Sequence, residues 1–133
     1  MIRKPTMKEK FAVFILCSYL LVGSVIHIYD NVTGGFLPYT EVPQWLNSYW
    51  TSLGILNLLS IYLLIKHRRT GVLMLILTMG SDVVFTSYAH YNFGLFSDEV
   101  PLQLQSMIFG FALAASLWLW SANRVRNSRQ IFR

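Results

Sequence analysis

Four apolar runs divide the chain, over about 11–30, 49–66, 70–91 and 102–122. Each approaches or exceeds the roughly 20 helical residues that a bilayer core of about 30 Å requires. Polar and small residues inside the runs recur at helical spacing and do not alternate. Gly54, Asn57 and Ser60 follow one side of the second run. Thr78, Asp82 and Thr86 repeat every fourth residue in the third, and Ser106, Gly110 and Ala114 do so in the fourth. Residues three and four apart share a helix face. The pattern predicts an all-α polytopic integral membrane protein. Residues 1–133 form a single domain, a bundle of four transmembrane helices, with external loops over 31–48 and 92–101 and tails over 1–10 and 123–133.

The punctuation between runs fits this division. Gly34, Gly35, Pro38 and Pro43 break the longer connection. That connection also holds Phe36, Leu37, Tyr39, Trp45 and Leu46, so it is expected to lie at the membrane interface, with 42–48 as a short surface helix. Lys66, His67, Arg68, Arg69 and Thr70 leave room only for a tight turn, which makes helices two and three antiparallel neighbours. The basic start and first apolar run resemble a signal peptide. The run is longer than an ordinary signal core and has no small-residue cleavage site, so it is read as an uncleaved helix.

Charge sets the orientation. Only 13% of residues are charged, about half the share of a soluble domain. Every Lys and Arg lies before the first run, between the second and third, or after the fourth. Four crossings put all three segments on one side, which the positive-inside rule makes cytoplasmic. The expected location is a cell membrane, the inner membrane in a bacterium, with both termini cytoplasmic. The formal net charge of +5 is therefore topogenic and in contact with anionic lipid, and no nucleic-acid surface is inferred. Cys17 is the single cysteine, which excludes paired-thiol redox chemistry.

The candidate chemistry centres on Asp82. A carboxylate inside a span is costly unless it is paired, protonated or wet, and such residues mark ligand and ion sites. At about 1.5 Å per residue from Thr70, Asp82 lies about 18 Å into the core, and Asn57 lies about 13–14 Å in from the same side. The two can meet on adjacent helices, either as part of a ligand site or as a plain packing hydrogen bond. His27 and Asp30 share a face of the first helix. With Thr86, His90, Gln103 and Gln105 they form a polar layer near the outer boundary that could line a cleft above Asp82. The expected ligand-binding set is Asp82, Asn57, Thr86, His90, His27 and Asp30. Ser106, Gly110 and Ala114 are expected to serve close helix packing.

Other chemistries find less support. His27 and His90 could hold a haem between them, but they are one pair without a supporting glycine pattern, so no cofactor is expected. His27, Asp30 and His90 could meet a divalent ion, yet no zinc motif accompanies them. No nucleophile elbow is present, and Cys17 sits among apolar neighbours. In size and layout the chain resembles small multidrug transporters, although Cys17, Ser18 and Tyr19 stand where those carry an acid in helix one. His27, Asp30, Pro38 and Trp45 loosely resemble the arrangement of the sterol-isomerase and sigma-2-receptor class. Bacteriocin immunity proteins are similar in size and span number. None of these likenesses transfers a residue role. The expected function is binding or transport of a small hydrophobic or cationic ligand at Asp82. The alternative is a non-catalytic accessory or immunity-type subunit that contacts a second copy or another membrane protein.

Overall fold

A computed structural model describes residues 4–131, with side chains described to residue 122. It contains four helices, α1 (Met7–Thr33), α2 (Gln44–Lys66), α3 (Arg68–Phe93) and α4 (Val100–Ile131), and all four are long and apolar enough to cross a membrane. Thr6 accepts the Glu9 backbone N–H at 3.3 Å, a Thr-x-x-Glu start that sets the first turn of α1 before the apolar run begins. Gly94, at φ +65°, ends α3 in the left-handed conformation that glycine adopts without steric cost. Asp98 Oδ1 accepts the Val100 N–H at 3.0 Å, and Pro101 follows in the first turn of α4.

The helices run past the apolar segments that predicted them. α2 begins at Gln44, directly after Pro43, so 44–48 is its first turn and no separate surface helix precedes it. α4 continues through 123–131, where the sequence suggested a tail, because no Gly or Pro after Gly110 interrupts a stretch rich in helix-compatible residues. The side chains of Arg124, Arg126 and Arg129 lie outside the described set, as do Arg3 and Arg133.

Successive helices pack against one another, and α1 meets α4 only sparsely. Two apolar cores stack along the bundle. Leu16 and Leu20 of α1 join Leu64, Val72, Leu75, Met79, Ala112 and Leu119 in the half nearer the termini. Val42, Leu46, Trp50, Leu53 and Ala89 form the other, and none of these buried residues comes from α1 or α4. Glu9 and Arg68 pair at 3.0 Å and tie the starts of α1 and α3 at the terminal end. Arg69 lies over the Trp120 ring at 4.8 Å on that same end.

Small residues decide how closely the helices approach. Ser24 donates to the Gly54 carbonyl at 2.6 Å, and a Cβ on Gly54 would stand 3.0 Å from Ile28 Cγ1. A Cβ on Gly71 would collide with the Leu64 and Leu63 backbone across the one-residue turn at His67. Ser106, Gly110 and Ala114 behave differently. All three are exposed on α4, and a Cβ on Gly110 would meet nothing within 4 Å. Within the chain, α4 packs through Ala112, Ser116 and Leu119 instead. Gly71→Ala is therefore expected to cost about 1–3 kcal/mol by overpacking. Gly110→Ala should stay within about 0.5 kcal/mol of the parent. Thermal unfolding of both variants in the same detergent measures the contrast.

Candidate functional site

Asp82 sits near the middle of α3 and accepts two hydrogen bonds from neutral side chains. Thr86 Oγ1, one turn on, donates to Oδ1 at 3.3 Å. Gln105 Nε2, reaching across from α4, donates to Oδ2 at 2.8 Å. The two donors solvate negative charge without neutralising it. Among the described residues the single Lys or Arg ion pair is Glu9–Arg68, at the terminal end of the bundle.

A cavity of about 30 Å³ opens beside the carboxylate, room for one or two waters. Its walls come from all four helices, with Tyr19, Gly23 and His27 on α1, Asn57 on α2, and Gln105 and Phe109 on α4. Thr78 also lines it, but its hydroxyl is turned back to the Met74 and Leu75 carbonyls at 2.9 and 3.1 Å. Asn57 is only 8% exposed, faces the same cavity and makes no hydrogen bond to Asp82. Gln105 takes the place that the helix spacing offered to Asn57. Gly23 permits this arrangement, since a Cβ there would lie 3.1 Å from Asn57 Nδ2.

His27 and Asp30 are joined through a residue of the α1–α2 connection. Tyr39 donates its hydroxyl proton to Asp30 Oδ2 at 2.8 Å. The Tyr39 hydroxyl oxygen must then accept from His27 Nδ1, 2.9 Å away, which assigns the ring proton to Nδ1 and leaves Nε2 an acceptor. His27 also lines the cavity, so the Tyr39 bridge is one residue removed from the Asp82 site. Asn47 holds the connection in place by accepting the Tyr39 N–H at 3.1 Å and donating to the Leu37 carbonyl at 2.9 Å. Leu37 adopts φ +61°, a left-handed conformation costing about 1–2 kcal/mol in a residue with a Cβ, and this clamp retains it. The sequence pattern gives no role to Asn47 and places Tyr39 only in a connection at the membrane interface. Asn47 lies four residues after Pro43, at the start of α2, where a polar side chain can reach back to a preceding loop.

His90 falls outside this group. Its ring packs against Tyr91 and Phe96, its Nδ1 is buried without a hydrogen-bond partner among the described residues, and it does not line the cavity. No Cα of α1 comes within 8 Å of α3 among the described residues, so His27 and His90 are not drawn together by helix packing. No group of three or more His, Cys, Asp or Glu side chains that could hold a metal occurs among the described residues. No protein-family model, curated protein or solved structure matches the chain.

Burial pushes the Tyr39 phenol well above its ordinary value, and its hydrogen bond to Asp30 and the Asp30 charge push the same way. The unfolded phenol ionises near pH 10 while the folded one keeps its proton, so stability present below about pH 10 is lost as pH rises beyond it. Tyr39→Phe should flatten this alkaline loss and reduce stability at neutral pH. Unfolding midpoints followed from pH 7 to 11 measure both effects.

Proposed function

We propose that the protein resides in a cell membrane with both termini cytoplasmic and binds or carries a small cationic ligand at Asp82. The orientation is supported by the placement of Lys8, Lys10, Lys66, Arg68 and Arg69 in or beside helix ends at the terminal end of the bundle. Glu41, Asp98 and Glu99 belong to the connections at the opposite end. In a bacterial cell the membrane would be the inner one.

One observation carries the binding reading. A carboxylate in the middle of an apolar span is hydrogen-bonded only by neutral groups and borders a water-sized cavity. Intramembrane charge is expensive, and a bound cation offsets that cost better than neutral donors do. His27, Asn57 and Gln105, each with an acceptor atom, line the same space.

The accessory-subunit reading has its own support in the outward Ser106, Gly110 and Ala114 stripe, which could take a helix of another protein. The two readings part on Asp82. Radiolabelled methylammonium should bind saturably to the purified protein in lipid nanodiscs, and Asp82→Asn should weaken that binding at least tenfold while keeping an acceptor for Gln105. Unchanged binding in the variant would move the function away from this carboxylate.

A further inference from the structure

The size and chemistry of the cavity, together with the way α1 and α4 part beside it, define a narrower class of ligand. We infer that the site takes the primary ammonium head of an amphiphilic amine, with the apolar tail leaving between α1 and α4 into the bilayer. This rests on the cation-binding reading above.

The head group follows from volume and acceptors. A space of about 30 Å³ suits an –NH₃⁺ group, which is close to water in size, better than the bulkier trimethylammonium. Quaternary ammonium sites are built as aromatic cages because such heads have no N–H to donate. Here the wall carries two aromatic residues, Tyr19 and Phe109, among several hydrogen-bonding groups. Asp82 supplies the charge. Gln105 spends its N–H on Asp82, so its amide oxygen remains free to accept. Asn57, more than nine-tenths buried, lines the same space, and its amide has no hydrogen-bond partner among the described residues. An ammonium with three N–H donors satisfies such a set, and a hydroxyl or a bare methyl does not.

The route follows from where the helices are joined. α1 and α4 share a core only in the half nearer the termini, through Leu16, Leu20, Ala112 and Leu119. The other core includes no buried residue from either helix. The cavity lies where that shared core stops, with Tyr19 and Gly23 on one flank and Gln105 and Phe109 on the other. Along the bundle axis, Tyr39 covers the His27 side by bonding both His27 and Asp30, and Trp50 packs edge-on against it at 5.3 Å. The least obstructed path is therefore sideways through the α1–α4 seam, where a tail meets lipid.

The experiment compares three probes on the wild-type chain in nanodiscs: methylammonium, dodecylamine and dodecyltrimethylammonium. Partition into empty nanodiscs is subtracted for each. Dodecylamine should bind at least tenfold more tightly than methylammonium and at least tenfold more tightly than the trimethyl analogue. Asp82→Asn should abolish the preference between the two long-chain amines. Equal binding of those two overturns the primary-ammonium assignment. If methylammonium binds through Asp82 and dodecylamine gains nothing over it, the lateral route is wrong while the cation site stands. If no cationic probe binds, both fall together.

Discussion

The bond from Gln105 to Asp82 is the constraint to which the rest of the bundle is fitted. A carboxylate in hydrocarbon needs donors, and the backbone of its own helix has none to give, since interior N–H groups are already engaged. Thr86 supplies one from the next turn. The second must come from another helix, and Gln105 brings α4 against α3 at the required depth. Gly80 allows that approach, with Phe109 of α4 packed where a Cβ would otherwise stand at 3.2 Å. The cavity is then what remains where α1 and α2 fail to fill the space around the paired side chains.

Much of this was legible in the chain because it depends on period and charge. Hydrophobic length and the grouping of Lys and Arg pointed to four helices with three basic segments at one end. The fourfold spacing of Thr78, Asp82 and Thr86 placed them on one face, and α3 keeps them there, although only Thr86 bonds the acid. Gly54, Asn57 and Ser60 are all buried along one side of α2, as their spacing implied.

Partner choice was less legible. Depth counting from helix ends ranks Asn57 and Gln105 only to within a turn, and it carries no information on which rotamer reaches the acid. Tyr39 and Asn47 gain their roles from a loop conformation that includes a left-handed Leu37, which no local signal announces. The Ser106, Gly110 and Ala114 repeat shows a further limit. Spacing identifies a smooth face but not the direction in which it looks, and here it looks away from the chain's own helices.

The single residue His67 separates α2 from α3, and Gly71 lets the two backbones meet immediately beyond it. No slack remains there for the pair to hinge apart. α2 and α3 are thus held as one unit, with Tyr49 also hydrogen-bonded to Ser81 at 2.6 Å partway along their contact. α1 and α4 are joined to this pair through the longer connections at 34–43 and 94–99.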